Sequence, residues 1–157
     1  MSLASLTRPD LILTDLQAAD RPQVLHELAD RLARSGVIRS AEELFRDLWE
    51  REQQGSTGIG GGVAIPHCKL RSLRDVVVAL ATTAVPVEFG APDGRPIDLI
   101  VLVASPADAP AAHLQALARI SRLLRTPGFA AALRSAHSNE ELVAILRTVE
   151  SGQPVSR

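Results

Sequence analysis

Apolar positions recur along the chain at two spacings, and the switch between them lays out the elements. From Arg21-Pro22 onward, Leu25, Leu28, Ala29 and Leu32 share one side of a 3.6-residue period. That spacing predicts a helix with Pro22 in its first turn and Gly36 as its stop. Ser40-Ala-Glu-Glu43 is a capping-box pattern, in which the serine hydroxyl and the glutamate carboxylate each satisfy an N–H of the helix start. The helix it opens is predicted to bury Leu44, Phe45, Leu48 and Trp49 and to stop near Gln54-Gly55. Val63-Ala-Ile65 reads as a short strand halted by Pro66, and Val87–Phe89 as another. Asp75–Ala84 and Ile97–Ala104 are longer and apolar at both parities, the pattern of strands covered on both faces; Pro106 closes the second. A third helix, capped at or near Asp108, puts His113, Leu117, Ile120 and Leu124 on one stripe. Thr126-Pro127-Gly128 interrupts the chain before a short helix at Phe129–Ser135. Ser138-Asn-Glu-Glu141 is a second capping box, opening a last helix that buries Leu142, Ile145, Leu146 and Val149. Met1–Asp10 and Ser151–Arg157 read as ragged ends. Helices before, between and after strands predict an α/β layered domain.

Composition narrows the function classes. With 157 residues, 46% of them apolar, the chain is sized for one domain that buries about two-thirds of its unfolded surface. Seventeen basic and eighteen acidic residues leave a formal net charge of −1, so no basic excess exists to grip nucleic acid. One cysteine excludes a disulfide framework and a cysteine-cluster zinc site. The longest apolar runs, Val76–Ala81 and Leu99–Ala104, are six residues each, far short of the roughly 20 that span a bilayer. The N-terminus carries no signal-peptide pattern, and a cytoplasmic protein without direct membrane insertion is expected.

The chemistry concentrates in one stretch. Gly55, Gly58, Gly60, Gly61 and Gly62, half of the ten glycines, lie within eight residues. Glycine allows positive φ and close approach to a ligand, and successive free N–H groups form a concavity for an anion. Ser56 and Thr57 add hydroxyls, and Ile65-Pro66-His67 follows with an imidazole on a restricted support. A neutral imidazole nitrogen is a competent nucleophile near pH 7, so an anion cradle beside it points to phosphoryl chemistry on the histidine. On the residues alone a plain glycine turn and a loop histidine are the commoner reading. A nucleotide loop fits poorly: a Walker motif begun at Gly55 needs Lys and Ser/Thr where Gly61 and Gly62 stand, and a dinucleotide loop follows a strand rather than a helix.

Arg51-Glu-Gln-Gln-Gly-Ser-Thr-Gly-Ile-Gly60-Gly-Gly-Val-Ala-Ile-Pro-His67-Cys-Lys69 resembles the signature of the fructose/mannitol-type enzyme IIA domains of the bacterial phosphotransferase system. Pro96–Pro106 followed by His113-Leu-Gln-Ala-Leu117 is similar to that family's second motif block, and Ser138–Leu142 agrees too. The likeness covers roughly residues 10 to 150 of a single domain ending at residue 157, and within the superfamily it is strongest to the stand-alone nitrogen-regulatory branch. The resemblance implies a three-layer fold, a mixed β-sheet with helices on both faces. It implies that His67 accepts a phosphoryl group from a phosphorylated HPr-like carrier, that His113 stabilises the imidazole or phosphoryl group, and that Arg51 is a nearby charge partner. Ser56, Thr57 and Gly58 are the expected phosphate-binding residues, and neither metal nor cofactor is expected. A regulated target is implied, such as a potassium transporter or a sensor kinase. The length, without attached IIB or IIC segments, favours the regulatory branch over a sugar-specific IIA component.

Other readings stay open on the residues. His113 on a core-facing stripe also suits a packing histidine, and Arg51 suits a solvated residue complementing a helix C-terminus. Cys68 stands where a small residue such as glycine is expected, and an accessible thiolate there is open to oxidation. Neighbours in an extended segment point to opposite faces, which argues against a Cys68–His67 hydrolase pair. His26 reads as a surface residue, and His137, ahead of the last capping box, is given no role. A non-catalytic module that binds an anion or a partner at the glycine loop is the reading from another class.

Overall fold

A computed structural model describes residues 2–152. The strands are β1 (Ile12–Leu16), β2 (Gly58–Gly60), β3 (Val63–Ala64), β4 (His67–Leu70), β5 (Val77–Val87) and β6 (Ile97–Pro106). The helices are α1 (Leu3–Leu6), α2 (Arg21–Arg34), α3 (Ala41–Gln53), α4 (Pro110–Leu124), α5 (Phe129–Ser135) and α6 (Asn139–Glu150).

The six strands form one mixed sheet. β6 lies at its centre, antiparallel to β5 on one side and parallel to β3 and β4 on the other; β1 runs parallel to β5 at one edge, and β2 closes onto β3 as a hairpin. Alternation along β5 and β6 explains why both are apolar throughout. Val78, Leu80, Leu99, Val101 and Val103 enter one core with Ile120, Phe129, Leu133 and Leu146. Ala79, Ala81, Ile100, Leu102 and Ala104 enter a second core with Leu25, Leu28, Leu44 and Leu48. The sheet thus separates α2 and α3 from α1, α4, α5 and α6, giving the three layers expected.

The sequence expectations hold for the main elements and fail at particular places. Both capping boxes form by half: Ser40 and Ser138 accept from the N–H of Glu43 and Glu141, but the Glu43 carboxylate turns to Arg39 and Ser72, and Glu141 accepts from the His137 N–H. The N-cap of α4 is Ala109, within the expected place beside Asp108, but it makes no side-chain bond. The buried stripe of α4 is His113, Ala116, Ile120 and Leu123, with Leu117 and Leu124 only half-buried. Phe45, Trp49 and Ile145 are half-buried as well, and Val87 ends β5 rather than starting a strand. The N-terminus is tied down: Leu3 is buried, and the Leu3 and Ala4 N–H groups donate to Glu150 at 2.7 and 2.8 Å. The expected ragged tail falls largely on residues 153–157, which lie outside the described residues.

Candidate functional site

Pro66 interrupts the strand that pairs with β6, dividing it into β3 and β4. His67 resumes the pairing opposite Val103, whose side chain faces the α4 layer. Its ring therefore emerges on the α4 side, while Cys68 points into the opposite core. The Nδ1 atom of His67 lies 2.7 Å from the Ile65 carbonyl oxygen. A carbonyl only accepts, so Nδ1 carries the proton and Nε2 is left as the bare, nucleophilic nitrogen. Burial lowers the pKa of His67, reinforced by the charges of Arg51 and Lys69 and opposed by the Ile65 carbonyl and Glu52. The imidazole is therefore neutral at pH 7.

His113, on the first turns of α4, is buried, and its ring centroid is 5.5 Å from that of His67 with the planes tilted by 50°. Its Nδ1 meets the hydroxyl of Ser105, a fully buried residue of β6, at 2.8 Å. A hydroxyl can donate to Nδ1, and in that arrangement the imidazole proton of His113 sits on Nε2. Burial pushes the His113 pKa down to about 4, and the charges of His67 and Lys69 act the same way. The second histidine is neutral at pH 7.

A cleft of about 220 Å³ opens beside His67, walled by Arg51, Ser56, Gly58, Ile59, Leu117 and Ser121 together with Thr57 and Ile65. Arg51, in the last turn of α3, donates one guanidinium N–H to the Gly55 carbonyl at 2.8 Å. The Ser56 hydroxyl accepts from the Gly58 N–H at 3.0 Å and retains its own hydrogen. Thr57 is buried, and both its hydroxyl and its N–H donate to the carboxylate of Glu52. So the structure brings His67, His113, Arg51 and Ser56 together, with the polar groups of Thr57 and the Gly58 amide already engaged within the protein.

The glycines have a different use from the anion cradle suggested by their density. Gly60, Gly61 and Gly62 all have positive φ and turn the β2–β3 hairpin; the Gly61 N–H donates to Asp93, and its carbonyl accepts from Arg134. Gly58 is required by space, because a Cβ there would lie 2.7 Å from the Cβ of Ala91. Cys68 is buried and its thiol is pushed up to about 12, so the condition for oxidation there, an accessible thiolate, is not met.

Sequence reasoning missed Glu52 and Ser105. Glu52 falls one turn beyond Leu44 and Leu48 on the buried stripe of α3, and a carboxylate at that spacing is a readable signal. Ser105 has no such mark, since its partner becomes a neighbour only through the turn from β6 into α4.

Three comparisons bear on this site. The family model for the phosphoenolpyruvate-dependent sugar phosphotransferase system, EIIA 2, matches residues 5–149. A nitrogen regulatory protein of Bradyrhizobium diazoefficiens is 38% identical over 146 residues, covering 93% of this chain and 95% of that one. The 2-O-alpha-mannosyl-D-glycerate-specific EIIABC component of Escherichia coli is 32% identical over 98% of this chain but only 24% of its own length. Among solved structures, the nitrogen regulatory protein IIA-Ntr of Neisseria meningitidis superposes with a TM-score of 0.85 at 31% identity, covering 92% of this chain and 98% of that one. Sequence and fold agree, and the chain belongs to the EIIA 2 family of the phosphoenolpyruvate-dependent sugar phosphotransferase system.

Proposed function

We propose that this chain is a nitrogen-regulatory IIA protein that accepts a phosphoryl group on His67 Nε2 from a phosphorylated HPr-like carrier. The observation that carries the reading is the 2.7 Å bond from His67 Nδ1 to the Ile65 carbonyl, which leaves a neutral ring with its lone pair on Nε2 beside an open cleft. In the transfer, Nε2 forms a bond to phosphorus as the bond from phosphorus to the donor atom breaks, and the electron pair leaves with the donor. Nε2 has no proton to lose. The ring gains positive character, and the Ile65 carbonyl dipole at Nδ1–H stabilises it. The Nε2–H of His113, the Ser56 hydroxyl and the Arg51 guanidinium are the donors for the phosphoryl oxygens, while Thr57 and Gly58 shape the wall behind them.

The phosphorylation state then regulates a partner, a potassium transporter or a sensor kinase in the expected class, in the cytoplasm. Similarity over nearly full length to a nitrogen regulatory protein supports the regulatory branch. A second reading, a sugar-specific IIA that passes phosphate to a IIB domain, is favoured by the likeness to one part of the EIIABC component. Intact mass after exposure to a phosphorylated carrier tests the common core: one phosphoryl group is added to the wild type and none to His67→Ala. Undiminished labelling of His67→Ala overturns it. Sugar phosphorylation with added IIB domains separates the two branches.

A further inference from the structure

Glu52 is the one carboxylate in the buried set of the described residues, with its side chain entirely removed from solvent. A buried charge is stable only when donors surround it, and three converge here. Arg21 of α2 reaches one carboxylate oxygen at 3.2 Å; the Thr57 N–H reaches the same oxygen at 3.3 Å, and the Thr57 hydroxyl donates to the other. Arg21 is itself fixed, donating to the Phe89 carbonyl at 3.0 Å and lying 5.3 Å from the Trp49 ring. Glu52 thus ties α2 and α3 to the loop that enters β2.

From Thr57 the connection runs on through the main chain. The Thr57 carbonyl accepts from the Ile65 N–H at 3.0 Å, and the Ile65 carbonyl accepts from His67 Nδ1 at 2.7 Å. Two hydrogen bonds and one residue, Ile65, therefore link the anchored threonine to the ring that bears the nucleophile. The conformation of Ile65 at the Pro66 break sets where its carbonyl points, and Thr57 holds that residue from outside the sheet. Leu44 and Leu48 fill the preceding turns of the same stripe, so apolar packing alone does not call for a carboxylate there.

We propose that Glu52 is a positioning residue for the phosphoryl acceptor: through Thr57 and the Ile65 main chain it holds His67 with Nδ1 protonated and Nε2 bare. The inference rests on the assignment of His67 as acceptor. A glutamine at position 52 offers one acceptor oxygen where the charged group offers two, and its amide donor opposes Arg21 or Thr57. A valine at position 57 keeps the shape of threonine and removes the hydroxyl.

The test is nitrogen-15 NMR of the histidine rings in the full chain at a pH above their titration, alongside the rate of phosphorylation by the carrier. In the wild type, His67 shows a protonated Nδ1 and an unprotonated Nε2. Glu52→Gln and Thr57→Val shift His67 toward a mixture of tautomers, leave the His113 signals in place, and slow phosphorylation roughly tenfold, the scale of losing an outer partner of a functional histidine. Thr57→Ser, which restores the hydroxyl, recovers both readouts. A folded Glu52→Gln or Thr57→Val protein with the wild-type tautomer and rate overturns the proposal; if the glutamine variant does not fold, the valine variant decides. A wild type that takes no phosphoryl group overturns the acceptor assignment instead, whatever the tautomer measurements give.

Discussion

The rings of His67 and His113 stand 5.5 Å apart, and the Nδ1 of each meets a partner of different character: a carbonyl that must accept, and a hydroxyl that can donate. One ring is thereby left with a bare Nε2, and the other can carry its proton there. In the proposed transfer the first is the nucleophile and the second the neutral donor.

Removing the donor tests that division. His113→Ala lowers the phosphorylation rate by about 10²-fold, the usual loss for one preorganised donor in a transfer site. Ser105→Ala, which frees the His113 tautomer without removing the ring, lowers it roughly tenfold. Stopped-time labelling with the carrier measures both, and wild-type rates in His113→Ala exclude that residue from the reaction.

Acid sensitivity follows from the two depressed histidine pKa values. The unfolded chain binds protons near pH 6.5, whereas folded His113 resists until about 4, so the unfolded state holds more protons across that window. Stability is complete above about 6.5 and falls as the pH drops toward 4, by up to about 1.4 kcal/mol per pH unit for each such group. Urea midpoints at pH 7 and pH 5 measure it. His113→Gln flattens the dependence; an unchanged slope in that variant contradicts the buried neutral ring. The phosphorylation rate has the same sense, with half-loss below pH 6.5 because burial lowers His67 as well.

Cys68 is expected to be silent. Its burial and a pKa near 12 leave almost no thiolate at pH 7 to 8, so the native protein resists thiol reagents and reacts in full once unfolded. Rapid reaction of the native chain with an aromatic disulfide contradicts this placement.

Gly58 faces a rigid neighbour. Gly58→Ala forces its methyl against the Cβ of Ala91 and costs about 1–3 kcal/mol, as overpacking does. Adding Ala91→Gly opens the space and returns most of that stability in a denaturant titration. Additive losses in the double variant contradict the contact.

The legible and illegible parts of this molecule divide by range. The stripe of Leu25, Leu28 and Leu32, the apolar runs of β5 and β6, and the breaks at Gly36 and Gly128 are local signals, and they appear where the spacing put them. β1 was hidden because Asp15, with a positive φ, bends a five-residue strand and breaks its alternation. β4 does alternate, burying Cys68 and Leu70 while His67 and Lys69 point out, but four residues after a proline carry too little pattern. Around the site, the motif pointed to His67 and Arg51, and both line one cleft. The His113–Ser105 contact and the anchoring of Thr57 by Glu52 are set by strand register and helix packing, which one sequence does not display. The glycine cluster shows the converse hazard: its density suggested an anion cradle, while three of its members serve a hairpin turn.

The most direct measurement is phosphorus–nitrogen correlation NMR on the nitrogen-15-labelled chain after transfer from a phosphorylated carrier. Coupling between phosphorus and Nε2 of His67, with Nδ1 still protonated toward the Ile65 carbonyl, is the predicted outcome. Phosphorus on Nδ1, on another residue, or nowhere on the chain contradicts it.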